Sequence, residues 1–375
     1  MSITKFANNK DNLKQHPEEV EALAQLARVS RHAFVTGAGG FLGKAICQRL
    51  CAAGIKVTGF ARGHYPELEA MGVNMVSGDI CDLDAVTHAM AGCDLVFHVA
   101  SKAGVWGSRE SYFAPNVQGC DNLLKASIVQ GVDSFVYTST PSVTFAGEDE
   151  SGIDEHAPYA SRFLNYYGES KAIAEQRVTA ANATPLASGK SSSRDMLNTV
   201  SLRPHLIWGP EDPHLVPRVI ARARAGKLKL VGKADKLVDT IYVGNAAYAH
   251  ILAALTLKLR PQQCAGKCYF LSNDEPITMA AMLNKILACA DLAPVDKRVP
   301  ASIAYLAGAL LEGVYGLLGK REEPIMTRFV ARQLSTSHYF DISAAKSDLG
   351  YRPLVSIDEG MVSLRHWLSS TDNSH

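Results

Sequence analysis

The chain of 375 residues has no excess of charge of either sign: 38 Lys and Arg face 37 Asp and Glu, for a formal net charge of +1. A dedicated nucleic-acid binder would show a basic excess, so that class is set aside. Charged residues are 20% of the chain and hydrophobic ones 47%, a balance that excludes global disorder. Cysteine supplies no metal framework. Cys264 and Cys268 read as a knuckle-like pair, and no second Cys/His pair stands near them in sequence, so no metal is expected. The eight cysteines lie scattered in apolar runs and read as reduced, mostly buried thiols. The first twenty residues lack an apolar core of the signal-peptide type, and a cytoplasmic protein is expected. No internal repeat is visible.

What is present is alternation. Residues 1–30 read as a polar extension, helix-forming from Glu18 to Arg28. From His32 an apolar run ends in glycines, and a helical pattern follows that stops at Gly54. Runs at 55–60, 73–79, 93–101, 133–140 and 197–204 read as further strands, with helices between them. Strands separated by helices pair in parallel, because parallel neighbours need long crossovers. The expected fold is α/β: a doubly wound parallel sheet with its ligand crevice at the carboxyl ends of the strands. The dinucleotide-binding part is expected over 31–205, rejoined by a strand at 237–243 and a helix to 258. Residues 206–236 and 259–375 would form a smaller substrate lobe. The stretch 183–195 reads as a polar loop. Residues 300–319 are the most apolar in the chain, but Glu312 and four glycines favour an amphipathic helix over a bilayer span.

Gly37, Gly40 and Gly43 follow the first strand and open a helix, the context of a dinucleotide fingerprint. Gly37 would make the turn, Gly40 would admit the pyrophosphate, and Gly43 would allow close helix packing. Phe41 and Leu42 lie within the same turn, where helix N–H groups favour phosphate. An acidic residue about 20 positions on ordinarily holds the ribose hydroxyls of NAD. Residues 44–66 contain no Asp or Glu, and Arg62 follows the second strand. The expectation is therefore NADP, with Arg62 on the 2′-phosphate; the alternative is a solvated Arg beside an NAD site. Asp79 is a candidate acceptor for the adenine amino group, or else a helix cap.

Tyr167 and Lys171 stand four apart and share one helix face. An ammonium there would lower the phenol pKa and let Tyr167 move a proton while hydride moves on the nicotinamide. Strand alternation puts Thr138 and Thr140 on one face, and Thr140 lies nearer the crevice, where its hydroxyl would polarise a substrate carbonyl. Asn116 would hold a water beside Lys171, or cap a helix. Lys102 is the nearest basic residue past the fourth strand, a candidate partner for a substrate carboxylate or a plain surface lysine.

The stretches VTGAGGFLG, SGDICD, VFHVAS, NVQGCDNLL, FVYTSTPSV, YGESKAIAE, SLRPHLIWGP and FDISAAKSDLGYRP together resemble the extended short-chain dehydrogenase/reductase superfamily, over about residues 32–368. TSTPSV and LRPHLIWGP resemble its 3β-hydroxysteroid dehydrogenase group. The resemblance implies Thr140, Tyr167 and Lys171 as the catalytic set. It implies Ile80 as a cofactor contact, His98, Val99, Ala100 and Ser101 along the nicotinamide ribose, and Pro204 and Ile207 near the carboxamide. KAGVWGSRESYFAPNVQG and RPHLIWGPEDPHLVPR are similar to bacterial reductases of olefin biosynthesis. That similarity implies NADPH-dependent reduction of the 3-keto group of a long-chain 2-alkyl-3-oxoalkanoic acid, an apolar substrate sheltered by 300–319. The same segment is a candidate contact for a membrane surface or a partner enzyme, and a homodimer is expected. The competing enzyme reading is a decarboxylating sterol-4-carboxylate 3-dehydrogenase. A non-catalytic dinucleotide sensor would be expected to lose Tyr167 or Lys171, and both are present. One departure is Gly244, where the group often has Asp between Val243 and Asn245.

Overall fold

Seven short apolar runs pair into one parallel sheet. They are β1 (His32–Thr36), β2 (Lys56–Ala61), β3 (Asn74–Ser77), β4 (Leu95–His98), β5 (Ser134–Thr138), β6 (Met196–Pro204) and β7 (Cys268–Leu271). The computed structural model describes residues 16–187, 195–233, 235–320 and 322–372. The strand order is β7-β6-β5-β4-β1-β2-β3, so chain direction across the sheet reverses between β1 and β4. The crevice opens at that switch point, beyond the carboxyl ends of the strands. A two-residue strand, Thr184–Pro185, adds antiparallel to β6, and residues 188–194 of the expected polar loop lie outside the described residues.

Strand alternation sorts the core into two layers. Val35, Phe97 and Val136 face one side, where they pack with Leu42 and Ile46 of α2 (Phe41–Ala52) and Ala246 and Ala253 of a later helix. Phe34, Val96 and Phe135 face the other, against Val86, Leu123 and Val178. Those three belong to α3 (Leu83–Ala89), α4 (Gly119–Gln130) and α5 (Tyr166–Ala180). The later helix is α6 (Val243–Leu259), which is buried over nearly its whole length.

The helix expected at the start is present as α1 (Pro17–Val29), but it is not a polar appendage. Ala22, Leu23 and Leu26 are buried against α6, and buried Glu19 accepts from Arg49 Nε at 2.5 Å.

The strand expected at 237–243 is not in the main sheet. Leu237–Val238 pairs with Ile277–Thr278 and His338, and Ile241–Tyr242 pairs with Ile207–Trp208. The sheet is rejoined instead by β7, inside the stretch read as second lobe. The reason is length: α6, about 25 Å long at ~1.5 Å per residue, carries the chain back across the sheet. The run after it, not the run before it, can lie parallel to β6.

The second lobe draws one strand, Glu150–Ile153, from within the range expected to bind dinucleotide; it pairs with His338–Phe340. The lobe also carries α7 (Ala301–Leu317), packed on α8 (Arg328–Ser335) through Ala304 and Gly308. Among the described residues no helix is long and apolar enough to cross a membrane.

Candidate active site

The glycine turn after β1 is shaped by contacts that a side chain would break. Gly37 is left-handed at φ +64°, and a Cβ there would meet the Ala100 backbone at 3.0 Å. A Cβ on Gly43 would stand 2.1 Å from the Gly37 carbonyl oxygen. Gly40 donates its N–H to that oxygen at 2.8 Å and caps α2 without a side chain. The first turn of α2, with Phe41, Leu42 and Gly43, has no acidic residue and no side-chain cap, so its amide N–H groups are left for an anion. This cradle fits a dinucleotide pyrophosphate. Sequence reasoning passed over Gly39, where a Cβ would lie 2.1 Å from the Tyr65 ring. A middle glycine flagged the turn, but nothing local placed Tyr65 on top of it.

Arg62 is exposed directly beyond β2, and its charge acts on Cys81, so it stands beside the turn after β3. In that turn Asp79 is exposed and accepts from the Cys81 N–H at 2.9 Å. Asp79 does not cap α3; Asp82 does, accepting from the Ala85 N–H at 3.0 Å. Ile80 fits against Gly119, and its carbonyl accepts from Asn122 Nδ2 at 3.0 Å. Arg62, Asp79 and Ile80 thus meet at one end of the crevice.

At the switch point, His98 Nδ1 lies 2.9 Å from Thr36 Oγ1, and the Ala100 N–H donates to the same hydroxyl at 3.1 Å. Burial, and then the Lys171 charge, holds the His98 pKa well below its ordinary value, so the ring is neutral. Its Nε2 is buried without a protein partner. Val99 is half-buried and Ser101 is exposed beyond it. Pro204 ends β6 opposite Leu271, and Ile207 pairs with Ile241. His205 Nδ1 lies 2.7 Å from the Asp239 carbonyl oxygen, and burial lowers its pKa to about 3.

The catalytic candidates are brought together by two caps. Asn165 caps α5, accepting from the Gly168 N–H at 2.8 Å, which starts the helix one residue before Tyr167. Thr140 caps the turn Pro141–Val143. The two caps sit close: a Cβ on Gly168 would come 2.9 Å from the Ser142 carbonyl oxygen. This approach brings the Thr140 hydroxyl near the Tyr167 phenol, close enough to oppose the rise in its pKa. Thr138, on the same strand face, shares a hydrogen with His250 Nε2 at 2.8 Å, while Thr140 Oγ1, nearer the crevice, donates to Ser142 Oγ and accepts from the Ser142 N–H, each at 3.3 Å. Tyr166 is exposed.

Lys171 lies one helical turn on and is 2% exposed. Its Nζ donates to the Thr138 carbonyl oxygen at 2.6 Å and stands 4.1 Å from the Tyr137 ring centroid. Burial lowers its pKa to about 8. The expectation that this ammonium depresses the Tyr167 pKa is corrected here. Burial raises the Tyr167 pKa, and the opposing influence is the nearby Thr140 hydroxyl. The lysine reaches a backbone carbonyl rather than the phenol, because a buried ammonium needs an acceptor.

Asn116 is 1% exposed within a π-helical turn, Ala114–Gln118. Such turns recur at functional sites. It does not cap a helix. Its Oδ1 accepts from the Lys102 N–H at 2.7 Å, and its Nδ2 donates to the Lys102 carbonyl at 3.1 Å and to Ser170 Oγ at 2.9 Å. Asn116 therefore ties the loop after β4 to the residue before Lys171. Lys102 Nζ donates to Ser111 Oγ at 2.7 Å and lies over the Tyr112 ring. The same loop reaches the apolar helix: Trp106 Nε1 donates to the Lys320 carbonyl at 3.0 Å and packs edge-on against Tyr315 of α7.

One buried feature escaped sequence reading. Glu175, one turn beyond Lys171, accepts from Arg203 Nε at 3.0 Å and Nη2 at 2.6 Å, and from the Tyr159 hydroxyl at 2.8 Å. An i, i+4 spacing from Lys171 was its only local signal.

A protein of Shewanella oneidensis called 2-alkyl-3-oxoalkanoate reductase is 67% identical over 347 residues, covering 92% of this chain and 89% of its own. The Mus musculus sterol-4-alpha-carboxylate 3-dehydrogenase, decarboxylating, is 32% identical over 330 residues, covering 87% of this chain and 88% of its own. The structure of the Thermus thermophilus UDP-glucose 4-epimerase complex with NAD superposes with a TM-score of 0.65 at 25% identity, covering 90% of this chain and 99% of that one. Residues 34–299 match the family of 3-beta hydroxysteroid dehydrogenases and isomerases. That span runs from β1 past β7 and includes the glycine turn, Thr140, Tyr167 and Lys171, and the chain belongs to this 3-beta hydroxysteroid dehydrogenase/isomerase family.

Proposed function

We propose that the protein reduces the 3-keto group of a long-chain 2-alkyl-3-oxoalkanoic acid to the 3-hydroxy acid, with NADPH, as a step of olefin biosynthesis. The observation that carries the reading is the shared helix face of Tyr167 and Lys171, with Lys171 held to the Thr138 carbonyl and the Thr140 hydroxyl near the phenol. The substrate class rests on the 67% identical relative and its name.

Bound NADPH supplies the hydride. Thr140 orients the carbonyl oxygen and Tyr167 donates its phenolic proton to it, so ketone, hydride and proton become a secondary alcohol. A raised pKa keeps Tyr167 protonated at neutral pH, as an acid requires. Lys171 holds the nicotinamide ribose, and Asn116 positions the Lys171 helix against the loop of Lys102. Gly37, Gly40, Phe41, Leu42 and Gly43 take the pyrophosphate. Arg62 takes the 2′-phosphate, while Asp79 and Ile80 flank the adenine. Ala100 and Ser101 lie along the ribose, and Pro204 and Ile207 face the carboxamide. Lys102 binds the substrate carboxylate. Alkyl chains run toward the half-buried side of α7, where each buried methylene contributes about 0.8 kcal/mol.

In this reading the sheet unit from 31 to 205, with α6 and β7, holds the dinucleotide, and the remainder holds substrate. The enzyme works in the cytoplasm as a homodimer, which light scattering would test. The decisive assay compares NADPH oxidation with a 2-alkyl-3-oxo acid against NADP reduction with a 4-carboxy-3β-hydroxysterol. Turnover of the keto acid supports the reading; turnover of the sterol alone replaces it with the dehydrogenase of the 32% identical relative.

A further inference from the structure

His205 stands where β6 meets the crevice, and its ring offers a nitrogen without a partner among the described residues. Thr138 pairs with Leu202, and the Ser139 N–H donates to the Leu202 carbonyl at 2.6 Å, so the Thr140 turn and the Pro204–His205 step lie side by side at the rim. The His205 N–H donates to the Leu271 carbonyl at 3.2 Å, which ties its backbone to β7. Leu206 then takes a left-handed φ of +46°, uncommon for a residue with a side chain, and the chain turns away. Backbone strain of this kind persists where the surroundings fix it, and it gathers at ligand sites.

The tautomer follows from the partner. His205 Nδ1 faces the Asp239 carbonyl oxygen, which can only accept, so Nδ1 carries the hydrogen. Burial, and then the neighbouring His338, lowers the pKa to about 3, so the ring is neutral at neutral pH. Nε2 is therefore a lone pair. His338 and Phe340 hold the ring edge-on, at centroid distances of 4.8 and 5.3 Å. Nε2 is not sealed in. Buried atoms nearby that lack a partner are His338 Nδ1 and Ser139 Oγ, whereas His205 keeps 6% of its surface open.

An acceptor fixed at this place calls for a donor on a ligand. With phosphates at the glycine turn and Arg62 at the β2 end, the nicotinamide half of a dinucleotide belongs at the β5–β6 end, with Tyr167, Lys171 and His205. Few donors are available there. An ionised 3-oxo acid has no N–H or O–H to give. The ribose hydroxyls go to Lys171, and the hydroxyl formed by reduction arises at Tyr167. The carboxamide N–H remains. We propose that His205 is a cofactor-binding residue whose Nε2 accepts a hydrogen bond from the nicotinamide carboxamide and so fixes the rotation of the nicotinamide ring. The inference rests on the nicotinamide-cofactor part of the proposed function and not on the choice of substrate.

The test is a binding cycle on the full chain without substrate, by isothermal titration calorimetry. It compares NADP with 3-acetylpyridine adenine dinucleotide phosphate, in which a methyl replaces the carboxamide NH2 and only the donor is lost. The wild type should bind NADP about three- to tenfold more tightly, the worth of one neutral hydrogen bond. His205→Phe removes the acceptor and keeps the ring. His205→Asn can still donate to the Asp239 carbonyl but has no acceptor at the position of Nε2. Each variant, with its Tm recorded, should bring the two dinucleotides within about twofold of each other. A wild type that binds both equally overturns the inference, and that result needs no variant to fold. Either folded variant that keeps the full preference also overturns it, because the carboxamide then has another acceptor. If neither dinucleotide binds, the cofactor reading itself falls and takes the inference with it.

Discussion

Lys171 Nζ donates to the Thr138 carbonyl oxygen at 2.6 Å, and this bond locks the middle of α5 to the end of β5. The ammonium is thereby kept charged in a buried place by a backbone acceptor, and its reach toward the crevice depends on the strand as much as on its own helix. Burial still lowers its pKa to about 8. Ketone reduction by the free enzyme should therefore lose kcat/KM as pH rises through about 8, where Lys171 gives up its charge. The sign for stability is opposite. Below about 8 Lys171 is protonated folded and unfolded, and the penalty of burying its charge is fully present. Between about 8 and its ordinary 10.5 the unfolded chain binds more protons, so this group makes the fold more stable as pH rises. A kcat/KM profile flat to pH 10 would remove Lys171 from the reaction.

Replacing Tyr167 with Phe should abolish turnover and leave NADPH binding within about twofold, because the ring still packs and only the donor to the carbonyl is lost. A general acid contributes roughly 10²–10⁴-fold, so the residual rate should be at most about 1%. Steady-state rates and a fluorescence titration of NADPH separate the two effects. Lys171→Ala should damage both readouts.

Arg62→Ala should weaken NADPH by about ten- to a hundredfold, the worth of a charge-assisted contact of roughly 1.5–3 kcal/mol. NADH should be almost unaffected. Equal losses for the two cofactors would mean that Arg62 only stacks on the adenine.

Glu175→Ala should destabilise the fold by about 3–5 kcal/mol, because it strands a buried guanidinium. Arg203 and Glu175 have side-chain exposures of 2% and 0%, so solvent cannot compensate. Urea unfolding gives the loss directly, and a shift under 1 kcal/mol would show that Arg203 finds another partner.

Much of this molecule is written in local order. The 2-residue period of the strands, the 3.6-residue period between them, the glycines at 37, 40 and 43 and the Tyr167–Lys171 spacing are all read within a few turns of chain. They determined a parallel doubly wound sheet, a phosphate turn and a helix that shows a phenol and an amine on one face. Tertiary structure decided the rest, because it depends on residues far apart in sequence. It chose Cys268–Leu271 over 237–243 as the seventh strand, since a parallel neighbour needs the crossover supplied by α6. It turned Lys171 to a carbonyl 33 residues earlier and raised the Tyr167 pKa, because burial outweighs a charge that points elsewhere. It placed Tyr65 on Gly39 and Arg203 on Glu175. It also decided which face of an almost uniformly apolar helix is left bare: Gly308 and Glu312 set the packed side by what they touch, which no hydropathy pattern along 300–319 could reveal.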